Sequence, residues 1–334
     1  MIAETLERTK NLAGGVARAL TLLAGATEHQ VVWRSGPVRL RHYAPAEPTT
    51  ETPLVLITPI INRYRVVDLA PEATLVGSLV ERGIPVYVVD WGDPRRIDQR
   101  TSFDDYVLRM LPGALRAIGS ETVDVLGYCL GGTIASMFAA RFPQRVRRLI
   151  TINAPVEFTP MELFRQWTDA KHFPVERLTR AFGNMPGQLV AQGFQWQFPV
   201  ASMFKGKSVW PRLESKGFAD FFAVLESWNN DGVDIPGAAY RQLIRDLYQA
   251  NTLSRGAFFL GGEPVDLSKI NMPVLVVTCS GDTTCPPAAA NALLKLATSE
   301  RGEKLELRGG HVAPIVGPKA KGRLHGPLAD WLLA

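Results

Sequence analysis

The 334-residue chain is 46% hydrophobic and 21% charged, which excludes a disordered polymer and allows two small domains or one large α/β domain with an insertion. A net charge of +5 suits an anionic substrate but is too weak and too dispersed to call for nucleic acid. Three cysteines, at 129, 279 and 285, are odd in number and lack metal-ligand spacing, which argues against a zinc site or a disulfide framework and favours a reducing cytoplasm.

Glu4 and Glu7 precede any apolar run, and ALTLLAG is too short for a signal segment or a spanning helix, so the expected location is cytoplasmic. Ile2, Leu6, Val16, Leu20 and Leu23 recur at roughly helical spacing with a break near Gly14-Gly15. This predicts one or two amphipathic helices in an arm over residues 1–29. Such an arm packs on the body, or docks a second subunit or a hydrophobic particle. VVWRSGPVRLRHYAP alternates about Ser35-Gly36 and reads as a hairpin that opens the core, residues 30–154.

After a Pro- and Thr-rich linker, Leu54–Ile57 reads as a buried strand, ending at Thr58-Pro59-Ile60-Ile61-Asn62. LVGSLVERG predicts a helix closed by Gly83, then a strand over Pro85–Val89. Strand, helix and strand in that order imply a parallel sheet. TSFDDYVLRMLPGALRAIG predicts a one-sided helix. Val123–Leu126 is a short apolar run, and the Ala- and Met-rich TIASMFAARF is helical; Cys129 falls on the sharp turn between them, with Gly127 and Gly131 two positions to either side.

That arrangement is a nucleophile elbow with sulfur in place of the usual oxygen. The helix start favours negative charge and offers the Leu130 N–H to a developing oxyanion, while the loop after Leu54–Ile57 supplies a second donor from Ile61 or Asn62. VRRLITINAP holds the next strand, Leu149–Ile152, and Arg145, Arg147 and Arg148 before it read as a solvated face.

From 155 to 262 the strand-helix rhythm stops. Helical patterns and aromatics, among them Phe164, Trp167, Phe173, Phe194, Trp196, Phe198, Phe204 and Trp228, predict a cap over a water-poor passage. The core resumes over 263–334: strand Pro273–Thr278, Gly281-Asp282, a helix in LLKLATSERG, a strand in KLELRG, then Gly309-Gly310-His311 and a closing helix in LHGPLADWLL. Cys129, Asp282 and His311 thus come after predicted strands in the chain order nucleophile, acid, histidine, which belongs to an α/β-hydrolase fold with a mostly parallel sheet, helices on both faces and a helical cap. Chemically, His311 takes the thiol proton and Asp282 orients the imidazole. An acyl group on sulfur keeps its transfer potential, which points to a coenzyme A thioester as substrate, with no cofactor or metal.

Several blocks resemble the polyhydroxyalkanoate synthases. They are Gly127-Tyr128-Cys129-Leu130-Gly131-Gly132, Ile61-Asn62-Arg63-Tyr64 with Asp68-Leu69, Asp90-Trp91-Gly92-Asp93-Pro94, Trp228-Asn229-Asn230-Asp231, Gly261-Gly262-Glu263, Gly281-Asp282 and Gly309-Gly310-His311. Arg63 and Arg65 are unusual for that loop.

The resemblance spans roughly residues 30 to 334. It implies polymerisation of (R)-3-hydroxyacyl groups from coenzyme A into polyester, with Cys129 carrying the chain, His311 activating it and Asp282 activating the incoming hydroxyl. The little chain before the first core strand is similar to the short catalytic subunits. It implies a growing polyester chain or granule surface as partner, a possible non-catalytic subunit, and a homo-dimer or hetero-oligomer. The competing reading is a thiol-dependent esterase or polyester depolymerase on the same fold.

Overall fold

Short runs of Leu, Ile and Val with no polar alternation can be stable strands only where both faces are covered, and such runs build the centre of the molecule. The computed structural model describes residues 2–21, 26–196 and 209–334. Its eight-stranded sheet comprises β1 (Gln30–Ser35), β2 (Val38–Tyr43), β3 (Leu54–Ile57), β4 (Val86–Asp90), β5 (Val123–Tyr128), β6 (Val146–Ile152), β7 (Val274–Cys279) and β8 (Gly302–Leu307). They lie in the order β1-β2-β4-β3-β5-β6-β7-β8, parallel from β4 onward. The β1–β2 hairpin is antiparallel, turned at Gly36 with φ 59°, and β2 runs antiparallel to β4. Every residue of β3, β5 and β7 is buried, whereas the edge strands β1 and β8 alternate in exposure.

Helices cover the sheet. The N-terminal helix α1 is Ile2–Thr21, α2 is Leu75–Val80 and α3 is Leu111–Ile118, preceded by a π-helical turn over Asp105–Met110. Gly83 (φ 77°) and Gly119 (φ 78°) stop the chain after α2 and α3 by taking left-handed conformations. Central to the sheet is α4, Leu130–Arg141, which leaves β5 directly.

Between β6 and β7 the chain forms α5 (Glu162–Trp167), α6 (Val175–Phe182), α7 (Gly187–Trp196), α8 (Lys216–Asn229) and α9 (Gly237–Gln242). The last of these runs on as a π-helical turn over Leu243–Gln249. Phe198 and Phe204 lie outside the described residues, as does Leu23. Beyond β7 come α10 (Pro287–Asn291), α11 (Leu293–Leu296), α12 (Ala313–Val316) and α13 (Gly326–Leu333). Among the described residues no helix is long and apolar enough to cross a membrane.

Three expectations need correction. First, α1 does not break at Gly14-Gly15: it is continuous because α8 lies against it, and a Cβ on Gly15 would come 2.8 Å from the Ala219 carbonyl and 2.9 Å from the Ala223 Cβ. Gly15 is therefore a close-approach residue, and the local propensity against helix yields to packing. The arm is further tied by Arg8 to Glu214, by Asn11 to the Leu213 carbonyl and by Arg18 to Glu72.

Second, Arg145, Arg147 and Arg148 form no solvated face. Arg147 pairs with the buried Asp124, Arg145 donates to the Ser120 carbonyl, and Arg148 packs on Trp331 and donates to its carbonyl. Third, the helix expected through LLKLATSERG ends at Leu296. Thr298 donates its N–H to Ile270 and its hydroxyl to the Ser268 carbonyl, drawing the chain out toward β8.

Candidate active site

Cys129 sits between β5 and α4 with φ 55° and ψ −132°, a conformation that costs energy in any residue with a Cβ. Its surroundings hold it there. Its N–H donates to the Ile152 carbonyl at 2.9 Å, and its own carbonyl accepts from Gly132 N–H at 2.8 Å. No side chain fits at the adjoining glycines. A Cβ on Gly127 would lie 2.3 Å from Gly132 Cα, one on Gly131 would lie 2.1 Å from the Ile57 carbonyl, and one on Gly132 would lie 2.3 Å from Ala154 Cβ. Glycines are thus demanded at 127 and 131, as the elbow motif requires, and at 132 as well.

Parallel strands set the loops at their carboxyl ends along one edge of the sheet. The loops after β5, β7 and β8 bring Cys129, Asp282 and His311 together. Asp282 Oδ2 lies 2.7 Å from His311 Nδ1, and the imidazole lies near enough to Cys129 for the sulfur to raise its pKa. With Nδ1 committed to the carboxylate, Nε2 is left for the sulfur.

The Asp282 side chain is 0% exposed, and its other oxygen, Oδ1, accepts from the N–H groups of Thr284 and Cys285, each at 2.9 Å. The two loops meet through Gly281 N–H, which donates to the Gly309 carbonyl at 3.0 Å. Burial lowers the His311 pKa, but the neighbouring Cys129 sulfur and the Asp282 carboxylate outweigh it and push the value up to about 10. Cys279 and Cys285 are held upward by burial and stay thiols.

Two residues passed over in the sequence support the histidine. Asn153, at φ 46° after β6, donates its Nδ2 to the His311 carbonyl at 2.8 Å, and Tyr128 reaches the same carbonyl at 3.4 Å. Asn153 stands just past a strand, as do the three expected site residues, so its position carried a signal; nothing in the sequence connects it to residue 311.

Leu130, next in the chain to Cys129, and Ile61 both line an apolar cavity of about 470 Å³. Phe164, Trp167, Phe173, Tyr240 and Tyr248 form its aromatic walls. Phe194 and Trp196 belong to α7, but their side chains lie outside the described residues. Asn62 instead forms an isolated antiparallel bridge with Gly232. Next to it, Arg63 holds Asp231 at 2.6 Å and Asp93 at 2.9 Å, and Arg65 reaches Asp231 at 3.2 Å. Trp228 donates its indole N–H to the Arg63 carbonyl at 3.0 Å. These arginines therefore fasten the loop after β3 to the segment after α8.

Fold and elbow define the class, an α/β hydrolase, and a model of the alpha/beta hydrolase fold matches residues 80–318. A hydrolase from Pseudomonas aeruginosa is similar in structure with a TM-score of 0.56 at 19% identity, covering 92% of this chain and 99% of that one. The monoacylglycerol lipase of Paleococcus ferrophilus gives 0.54 at 15% identity, over 88% and 98%. At these identities the likeness concerns the fold alone.

A second model, the poly-beta-hydroxybutyrate polymerase (PhaC) N-terminus, matches residues 16–79. The poly(3-hydroxyalkanoate) polymerase subunit PhaC of Haloferax mediterranei is 32% identical over 98% of this chain and 68% of its own length. The protein of the same name from Allochromatium vinosum is 30% identical over 98% of this chain and 96% of its own. The chain belongs to the poly(3-hydroxyalkanoate) polymerase family, acyltransferase-type synthases built on the α/β-hydrolase fold.

Proposed function

We propose that the chain polymerises (R)-3-hydroxyacyl units from coenzyme A thioesters and carries the acyl group as a thioester on Cys129. One observation supports this above the rest: a thiol near a histidine that is itself held by a buried carboxylate, with the residue after the thiol, Leu130, lining an apolar cavity. His311 takes the Sγ proton, and the sulfur attacks the thioester carbonyl. The carbon–sulfur bond to coenzyme A breaks, and its thiolate leaves with the proton from His311.

A hydroxyl then gives its proton to His311 and attacks the Cys129 thioester; the carbon–Sγ bond breaks, an oxygen ester forms, and the sulfur takes the proton back from His311. The N–H groups of Leu130 and Ile61 are the preferred oxyanion donors, since both residues line the cavity while Asn62 is bridged to Gly232. Aromatic walls exclude the water that would otherwise compete with the alcohol.

The geometry favours Asp282 as the group that orients His311. Its carboxylate is sealed from solvent, with Oδ2 on the imidazole and Oδ1 on two backbone N–H groups, which supports an orienting role. We assign residues 155–262 to a cap over the core of 30–154 and 263–334, with 1–29 as an arm. Action at a cytoplasmic polyester granule, with or without a second subunit, is part of the same reading.

The test is to incubate the chain with 3-hydroxybutyryl-coenzyme A, measure released thiol, and collect insoluble product. Polymer together with an acyl adduct on the Cys129 peptide supports the proposal. Soluble hydroxyacid alone, or an adduct elsewhere, overturns it.

A further inference from the structure

A second cavity, of about 510 Å³ and polar rather than apolar, opens where residues 99–100, α6 and the start of α9 meet. Arg100, Arg180 and Arg241 line it, and Glu176 is the one carboxylate among its lining residues. No ion pair or side-chain hydrogen bond engages any of these three arginines among the described residues. By contrast Arg18, Arg41, Arg63, Arg147 and Arg245 each hold a carboxylate. Unpaired guanidinium groups converging on one space are suited to phosphate, which they bind bidentately.

Close backbone approach fixes the floor of this cavity. A Cβ on Gly237 would lie 2.0 Å from the Gly183 carbonyl. Ala239 N–H donates to the Thr101 carbonyl at 3.0 Å, and Asn184 Nδ2 to the Arg95 carbonyl at 3.0 Å, so all three elements are locked together.

The helix that starts at α9 connects the two cavities. Tyr240, Leu243, Ile244 and Tyr248 face the apolar one, while Gly237, Ala238 and Arg241 face the polar one. Tyr248 lies near Cys129, and Gly237 is eleven residues earlier, about 16–17 Å along a helix. That is the reach of an extended pantetheine arm, whose sulfur end must arrive at Cys129 while its pyrophosphate stays in water.

We propose that this cavity holds the phosphates of the incoming coenzyme A thioester, with Arg100, Arg180 and Arg241 as the residues that recognise them. The inference rests on reading the chain as a hydroxyacyl-coenzyme A polymerase. Glu176, which faces Arg245 as well, keeps the cavity from binding the released coenzyme too tightly.

The experiment compares 3-hydroxybutyryl-coenzyme A with the phosphate-free N-acetylcysteamine thioester of the same acid. Arg100→Ala, Arg180→Ala and Arg241→Ala each raise KM for the coenzyme A substrate about tenfold, the loss expected for one charged hydrogen bond, with kcat retained. The kcat/KM for the phosphate-free thioester stays unchanged, and Glu176→Gln lowers KM for the coenzyme A substrate. Equal losses on both substrates, or no change on either, overturn the proposal. Calorimetric binding of free coenzyme A to the whole chain reads the cavity without turnover. Arginine-dependent binding in a chain that makes no polymer leaves the cavity standing and sinks only the polymerase reading, and binding indifferent to all three arginines sinks the cavity.

Discussion

His311 Nδ1 and Asp282 Oδ2 lie 2.7 Å apart although 29 residues separate them in the chain. The contact decides which imidazole nitrogen faces Cys129, and it fixes what each partner does when it is altered.

Asp282→Asn should lower turnover by roughly 10³–10⁴-fold, because an amide permits the wrong tautomer and no longer stabilises the imidazolium. It should also lower the His311 pKa. In the native protein that value is raised from about 6.5 to about 10, so its contribution to stability is complete below about pH 6.5 and fades as pH climbs toward 10. Imidazole NMR titration of both proteins checks this. An unchanged His311 titration in the variant would sink the assignment.

Cys129→Ala should abolish thiol release from 3-hydroxybutyryl-coenzyme A, and Cys129→Ser should leave little, since an alkoxide forms far less readily than a thiolate. Cys279→Ala and Cys285→Ala should keep most of the rate, because burial holds both as thiols and His311 pairs with neither.

Neighbouring glycines in α1 should respond in opposite directions. Gly14→Ala meets nothing within 4 Å and should stabilise by about 0.5–1 kcal/mol through helix propensity. Gly15→Ala collides with Ala219 and Ala223 and should cost about 1–3 kcal/mol. Urea denaturation of the two variants separates these outcomes.

His325 is buried between Ser78 and the Ile315 carbonyl, and burial lowers its pKa to about 4. The unfolded chain takes up this proton near pH 6.5, so stability should fall as pH drops from 6.5 through 4, by on the order of 2–3 kcal/mol. His325→Gln should flatten that part of the pH profile in thermal denaturation, and an equally steep profile would count against the cause.

Much of this protein could be read along the chain. The elbow was legible because Gly127 and Gly131 bracket Cys129 between a strand and a helix, and such a turn tolerates little else. Buried parallel strands were legible in Leu54–Ile57 and Val274–Cys279 because both faces are apolar. Contacts between distant segments were not. Gly15 read as a break, since its partner Ala219 lies in another helix; the arginines before β6 read as solvated, since Asp124 and Trp331 lie on other elements.

Local pattern alone determined which residues turn, which alternate and which stand at strand ends, because backbone sterics and hydrophobic period act over a few positions. Tertiary structure decided that His311 turns Nδ1 to Asp282, that Asn153 grips the histidine's carbonyl, and that Arg63 and Arg65 bind the segment after α8 to the loop carrying Ile61. Hydrogen bonds and close packing act across space between residues far apart in sequence, and only the folded chain sets those distances.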